Sequence, residues 1–232
     1  MFSNSKVSWM YNWGHNPGGA GGGFEYVPML WSNREQTSGW HYDLGNLIEH
    51  GNTQHLLGFN EADGCSDGGS CMPDARGTAM AYKAWFTILK QHNDHAGHNY
   101  WLGSPSVTNG NRAPDGSKMG LDWLSDFLGY CSDCQVDFIA IHWYDQAWNF
   151  EYFKNYINKA CEVAGGRYVW VTEFSPTDGD ENAKIQFLRN ALPFLDGNNC
   201  IEKYAMFMAE PGKLISGDGN GLSALGSFYS TF

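Results

Sequence analysis

Short apolar runs recur along this chain, and several lack the polar alternation of a strand that is wetted on one face. They are VSWMYNW (7–13), FEYVPMLW (24–31), HLLGFN (55–60), YWLGSPSV (100–107), DFIAIHWY (137–144), RYVWVTEF (167–174) and KYAMFMA (203–209). Near-continuous apolar runs fit strands covered on both sides, as in a parallel sheet with helices outside. Between them, apolar residues fall at i, i+3, i+4 spacing, the period of an amphipathic helix. The stretch 78–92 aligns Tyr82, Trp85, Phe86 and Leu89, and 121–130 aligns Leu121, Leu124, Phe127 and Leu128. The stretch 150–163 aligns Phe150, Phe153, Tyr156, Ile157 and Ala160, and 181–195 aligns Phe187, Leu188, Ala191, Leu192 and Leu195. Repeated strand–helix units predict an α/β fold, and a (β/α)8 TIM barrel fits them best. An eighth strand gives no clear signal. It is expected as a short or irregular one before Glu61, with Leu214 and Ile215 as the alternative.

At 232 residues the chain is long enough for one barrel domain over 1–232. No linker, repeat or low-complexity tract divides it. GHNPGGAGGGF (14–24) lacks both the GK[ST] of a P-loop and a helix opening on it, so it reads as a turned rim loop rather than a phosphate cradle.

The formal net charge is −11. A polyanionic partner such as nucleic acid needs clustered Lys and Arg, so that partner is excluded. No apolar run reaches a membrane span. MFSNSKVSW at the N-terminus is not a signal peptide.

Six cysteines allow 15 pairings. Cys65 and Cys71 are close in sequence, Cys131 and Cys134 form CSDC, and Cys161 and Cys200 remain. Three disulfides in an oxidising compartment are the favoured reading. A zinc site or a redox CxxC is the rival, weakened because there is a single CxxC and it does not open a helix after a strand.

Two of the strand runs end in a glutamate: Glu61 in HLLGFNEAD and Glu173 in RYVWVTEFS. Burying an unpartnered carboxylate costs several kcal/mol, so packing does not explain it. Barrel enzymes place their chemistry at the C-terminal ends of strands. There the chain offers Asn12, Trp13, Trp31, Asn60, Glu61, Ser104, His142, Tyr144, Glu173 and the residues 206–210. Two such carboxylates suit cleavage of a glycosidic bond, one donating a proton to the leaving oxygen and the other ionised. Asp63, Asp145 and Glu210 also lie near strand ends and are the rival carboxylates. Carboxyls about 5–5.5 Å apart give retention, and about 6.5–9.5 Å gives inversion.

Asn60-Glu61 after an apolar strand, His142-Trp143-Tyr144 at a later strand end and Glu173 in VTEF resemble the clan of retaining (β/α)8 glycosidases. YNW, VPMLW, LLGFNEAD, HWY and WVTEF, in this order in a chain this short, resemble glycoside hydrolase family 128, whose members are β-1,3-glucanases, many of them fungal. The resemblance covers nearly the whole chain. It departs where the usual Asn-Glu-Pro is Asn-Glu-Ala, at Ala62. It implies Glu61 as general acid/base and Glu173 as nucleophile. Asn60 would bond the 2-hydroxyl of the reacting sugar, and Tyr144 would donate to the nucleophile. His142 is placed in the substrate site with them.

Sugar faces stack on flat rings. Trp13, Trp31, Trp40, Trp148 and Phe207 are the expected subsite aromatics. Trp143 is ranked below them, because alternation turns it away from the barrel axis. Trp9, Trp85, Trp101, Trp123 and Trp170 are expected in the core. A Cys65–Cys71 bridge would staple the loop after Glu61, contributing roughly 2–2.5 kcal/mol.

The run His92, His95, His98 reads as solvated surface rather than a metal site, and Asp218 to Gly221 as a turn. No cofactor or metal is expected. The expected partner is β-1,3-glucan or its oligosaccharides, acted on in endo fashion by a monomer that is extracellular or in the cell wall, its leader absent from this chain. The alternatives are a non-catalytic β-1,3-glucan-binding barrel and a glycosidase of the same clan acting on another β-linked polysaccharide.

Overall fold

The structure is a computed structural model. It describes all residues except 4, 20–22, 35–38, 41, 45, 46, 48–52, 67 and 97–99, and leaves out the side chains of 87, 88 and 90–96. The run His92, His95, His98 therefore lies outside the described residues. The chain is α/β. Its strands are β1 (Trp9–Met10), β2 (Glu25–Tyr26), β3 (His55–Leu56), β4 (Trp101–Leu102), β5 (Phe138–Asp145), β6 (Tyr168–Pro176) and β7 (Ile201–Met206). Every run expected to be a strand contains or overlaps one.

The strands pair in parallel: β1 with β2, β3 with β4, β5 with β6, and β6 with β7. Single parallel bridges, Met29–Leu57, Gly103–Phe138 and Val107–Ile141, join these groups into one row in chain order. At the β3–β4 crossing, a Cβ on Gly58 would stand 2.7 Å from the Ser104 carbonyl oxygen, so only glycine allows this approach.

The helices described over their whole length are α1 (Ala75–Ala96), α2 (Gly120–Tyr130), α3 (Phe150–Ala164), α4 (Glu181–Asp196) and α5 (Ala224–Thr231). Four match the periodic stretches. The short α5 has no periodic signal, but Ser223 caps it by accepting from the Gly226 N–H at 2.9 Å.

Two apolar clusters explain the missing alternation in the strands. Ile139 and Ile141 of β5 and Val169 and Val171 of β6 face an outer layer with Tyr82, Phe127, Phe153 and Phe187 from the helices. Phe138, Ala140 and Trp170 face an inner cluster with Trp9, Val27, Met29 and Leu57. Strands apolar on both faces are the cause of the near-continuous runs. The sheet curls enough that Trp9 on β1 meets Trp170 on β6, ring centroids 5.1 Å apart.

At the N-terminal end of the strands, Glu25 of β2 ties three strands together. Its Oε1 lies 2.6 Å from His55 Nδ1 on β3, and its Oε2 accepts from Lys203 Nζ on β7 at 3.2 Å. Leu214 and Ile215 supply no further strand of the row. Ile215 bridges only Pro211 and Leu222, within its own loop.

The cysteines pair as Cys65–Cys71, Cys131–Cys134 and Cys161–Cys200. No described helix is long and apolar enough to cross a membrane.

Candidate active site

Glu61 and Glu173 meet at the C-terminal ends of the strands, with His142 between them. One oxygen of each glutamate and His142 Nδ1 all lie within 4.8 Å of one another. The environments of the two carboxylates differ sharply.

Glu173 lies within β6 and is only 5% exposed. Its Oε1 accepts from Trp13 Nε1 at 2.7 Å and from the Tyr11 hydroxyl at 3.1 Å. Its Oε2 accepts a short hydrogen bond from the Tyr144 hydroxyl. Three neutral donors therefore converge on this carboxylate, the arrangement that favours negative charge there. In return, burial and then the Glu173 charge push the Tyr11 and Tyr144 hydroxyls well above the ordinary tyrosine range, so both remain donors.

Glu61 sits just past β3 with φ +40°, a left-handed conformation uncommon for a non-glycine residue. Its backbone N–H is fixed by Ser106 Oγ at 2.9 Å. Its side chain has one hydrogen-bond partner among the described residues, His142 Nδ1, 2.8 Å from Oε1. Its Oε2 faces Gly68, where an added Cβ would stand 3.9 Å away. One oxygen of Glu61 is thus held and the other is free to meet a ligand.

His142 is fully buried on β5, and its Nδ1 is also 3.5 Å from Glu173 Oε2. Burial alone would lower its pKa, but the Glu173 charge, the Glu61 hydrogen bond and charge, and the Asp63 charge raise it above the ordinary value.

The loop after Glu61 is closely tied. Asn60 donates an amide N–H to the Gly68 carbonyl at 2.8 Å and receives the Ser106 hydroxyl at 3.4 Å. A Cβ on Gly69 would stand 2.3 Å from the Gly64 carbonyl oxygen, so the chain passes at contact there. Cys65–Cys71 closes this loop.

The rival carboxylates have other work. Asp63 accepts from Thr108 N at 3.0 Å, Thr108 Oγ1 at 2.7 Å and Gly120 N at 2.7 Å, a brace between loops. Burial raises its pKa despite those donors. Asp145 accepts from Gln146 N and Asn149 Nδ2 at the start of α3, and Glu210 pairs with Lys213.

Of the expected subsite aromatics, Trp13 bonds Glu173 directly and Phe207 is its neighbour. Phe207 packs edge-on to Trp13 and Tyr144, at 5.8 and 5.6 Å, with Lys213 Nζ 4.4 Å over its ring. Trp31 is partly buried against the inner cluster, and its carbonyl accepts from Asn60 N at 2.9 Å. Trp148 is 72% exposed in the loop between β5 and α3. Trp40 does not belong to this group. It is wholly buried, edge-on to Phe86 at 5.8 Å, and has no free face to offer a sugar. Trp143 is likewise buried, stacked on Phe187 outside the sheet as alternation required. Trp101, expected in the core, is instead half-exposed at the start of β4.

Tyr11 and Ser106 were not picked out from the sequence. Trp9, Tyr11 and Trp13 alternate, so a strand through them puts all three on one face, and that was the available signal. The neighbour that was picked out, Asn12, is used by its own turn, bonding Asn16, Gly14 and Tyr26.

A cavity of about 780 Å³ opens beside Tyr144, lined also by Ser175, Thr177, Lys184, Phe207 and Lys213 among others, and neither glutamate is in its lining. A second, of about 620 Å³, runs between β1 and β7 past Tyr11, Trp13 and Glu173. Among the described residues, Glu61, His142 and Glu173 are also the group with ligand atoms close enough to share a cation. The N–H and O–H groups already aimed at Glu173 would have to give way to one.

The family model described as "Glycosyl hydrolase catalytic core" matches residues 1–229, the span that holds both carboxylates. The chain is 37% identical to a curdlan-specific exo-β-1,3-glucanase of glycoside hydrolase family 128, subgroup III, from Blastomyces gilchristii, solved in complex with glucose. That match has a TM-score of 0.85 and covers 100% of this chain and 92% of the other. A subgroup II endo-β-1,3-glucanase from Sorangium cellulosum matches at 26% identity and a TM-score of 0.78, over 99% and 91% of the two chains. Alkali-sensitive linkage protein 1 of Schizosaccharomyces pombe is 33% identical over 98% of this chain, which spans 41% of that protein's length. The chain belongs to glycoside hydrolase family 128.

Proposed function

We propose that this chain is a single (β/α)8 catalytic barrel that hydrolyses β-1,3-glucan with retention of configuration. The observation that carries the reading is the unequal pair: Glu173 held by three donors, and Glu61 with one oxygen held and one free, their nearest oxygens within 4.8 Å. That spacing is close to the about 5–5.5 Å of retaining enzymes and short of the about 6.5–9.5 Å that inverting enzymes keep for their attacking water.

Glu173 attacks the anomeric carbon as Glu61 gives its proton to the leaving oxygen, forming a glycosyl ester on Glu173. Water then adds from the Glu61 side, Glu61 now acting as base, and the ester is released. Tyr11, Trp13 and Tyr144 hold the nucleophile's oxygens in place through both steps. Asn60 uses one amide N–H on Gly68 and keeps the other for the sugar's 2-hydroxyl. His142 adjoins both carboxylates and helps line the site that receives the reacting sugar. Trp31, Trp148 and Phe207 offer rings to further sugars. The enzyme acts as a monomer outside the cell or in the wall, where its three disulfides persist.

Endo attack is the expected mode. Exo attack is the second reading, because the relative at 37% identity is an exo enzyme. The test is sugar release from linear β-1,3-glucan by the wild type beside Glu61→Gln and Glu173→Gln, all three checked for folding. Loss of activity in both variants and a β-anomer as first product support the reading. A mixture of oligosaccharides marks endo attack, and glucose alone marks exo. No release from β-1,3-, β-1,4- or β-1,6-glucan would turn the chain into a glucan-binding barrel.

A further inference from the structure

We propose that Ser106 is a positioning residue for the proton donor, setting the angle at which Glu61 meets the leaving oxygen. The inference rests on the glycosidase reading above and concerns the acid step alone. Ser106 lies on the segment after β4 and is only 1% exposed. It runs beside the stretch from Phe59 to Ala62 and binds it at three points. Its backbone N–H donates to the Phe59 carbonyl at 2.8 Å, and its carbonyl accepts from the Ala62 N–H at 3.1 Å. Its Oγ accepts from the Glu61 N–H at 2.9 Å.

The third contact differs from the first two. The backbone bonds come from two parallel segments side by side, and any residue except proline would make them at this position. The bond from Oγ needs a hydroxyl. It falls on the residue of the stretch whose backbone is left-handed, Glu61 at φ +40°. The flanking backbone groups are placed elsewhere. Asn60 donates its N–H to the Trp31 carbonyl at 2.9 Å, and its carbonyl accepts from the Ser70 N–H at 2.9 Å. The Glu61 carbonyl accepts from the Gly64 N–H at 3.0 Å, so the chain turns at once after it. A left-handed non-glycine residue persists only where its surroundings over-determine it. Here the buried hydroxyl is the group that receives the amide. Its own proton bonds Asn60 Oδ1 at 3.4 Å, so one oxygen touches both the acid and its neighbour.

Without Oγ, the Glu61 amide must find another partner and the backbone relaxes toward negative φ. The Cα–Cβ bond of Glu61 then swings, and the free oxygen of its carboxyl loses its aim. Proton donation depends on that aim, because the donor must stand within hydrogen-bond reach of the leaving oxygen. Attack by Glu173 does not depend on it. The donors on Glu173 come from Tyr11 and Trp13 after β1 and from Tyr144 on β5, a separate support.

The experiment compares two leaving groups. A laminarioligosaccharide loses a sugar hydroxyl that needs the acid's proton, whereas dinitrophenyl β-laminaribioside releases a phenolate stable enough to leave without one. The quantity is kcat/KM, which reports the steps up to bond cleavage. We expect Ser106→Ala to lose about 10- to 100-fold on the oligosaccharide, as a misplaced catalytic group does. Dinitrophenolate release should stay within about twofold of the wild type, since no acid is required. Glu61→Gln beside it should show the same split, larger. Equal losses of Ser106→Ala on both substrates would make Ser106 a general support of the site and overturn the inference. No loss on either substrate overturns it as well. If Ser106→Ala does not fold, Ser106→Cys keeps a weaker acceptor in nearly the same volume and is read in the same way. A wild type that cleaves neither substrate removes the glycosidase reading and this one with it. A split in Glu61→Gln with none in the Ser106 variant removes only this one.

Discussion

The indole N–H of Trp13 donates to Oε1 of Glu173 at 2.7 Å, so this tryptophan holds the carboxylate by its edge. Its backbone adopts φ +58° to do so, a conformation that non-glycine residues rarely take. Trp13→Phe keeps an apolar ring and removes the donor. A hydrogen bond to a charged group contributes about 1.5–3 kcal/mol, so kcat should fall about 10- to 100-fold with KM little changed. A raised KM with kcat intact would return Trp13 to the role of a sugar platform.

Tyr11 and Tyr144 act on opposite oxygens of the same group. Tyr11→Phe should cost less than Tyr144→Phe, because the Tyr11 hydroxyl divides its single proton between Glu173 and the Thr172 carbonyl, both at 3.1 Å. The double variant should lose less than the product of the two single losses, since both act through one carboxylate. Full additivity in kcat/KM would mean that the two hydroxyls work independently.

The loop 61–71 gives a third expectation. Its disulfide spans a sequence separation of 6, which stabilises the fold by only about 2 kcal/mol in the chain-entropy model. Yet it closes the loop whose Gly68 carbonyl binds Asn60 and whose first residue is Glu61. Cys65→Ser with Cys71→Ser should therefore reduce kcat more steeply than it lowers the unfolding midpoint. Activity and stability that fall in proportion would make the bridge a general staple. Urea titration and initial rates on the same preparation decide it.

The strands and the two glutamates were legible because burial on both faces writes an apolar run, and a carboxylate at its end stands out. The cradle was less legible. Tyr11 lies inside the apolar run 7–13, where a tyrosine looks like packing, and its role arises only when the curled sheet brings its side chain to β6. Trp40 shows the converse. It sits in a segment without a strong period, and whether its ring faces sugar or core depends on Phe86, 46 positions later. Trp101 follows the buried Tyr100, yet it opens β4 at the sheet's rim, where alternation puts it in water. Donor cradles depend on contacts between distant strands, and a single sequence records those only as separate residue types.

The aromatic assignments can be tested as a pair. Trp148 is 72% exposed, so Trp148→Ala should leave stability within about 0.5 kcal/mol. A stacked ring contributes about 1 kcal/mol, so KM on polymer should rise about fivefold. Trp40→Ala should do the reverse, destabilising by about 3–5 kcal/mol through the cavity it leaves, with KM unchanged in whatever remains folded. An unaltered KM in Trp148→Ala would place the glucan chain elsewhere.

Glu25 supplies the pH dependence of stability. Burial alone would raise its pKa, but the hydrogen bond and charge of His55 and the charge of Lys203 outweigh it, and the result lies below the ordinary value of 4.5. A depressed carboxyl contributes stability that is present above its unfolded value and lost as pH falls through the lower folded value. Glu25→Gln leaves Lys203 without its ion pair in a largely enclosed setting and should cost on the order of 3 kcal/mol near neutral pH. The difference between wild type and variant should then shrink as pH falls below about 4.5 and through the lower folded value, where Glu25 takes up its proton in the wild type. Urea unfolding of both proteins across that range is the measurement. A difference that stays constant down to the acid end would mean that Glu25 acts through packing and hydrogen-bond geometry, with its charge contributing nothing to the link between β2, β3 and β7.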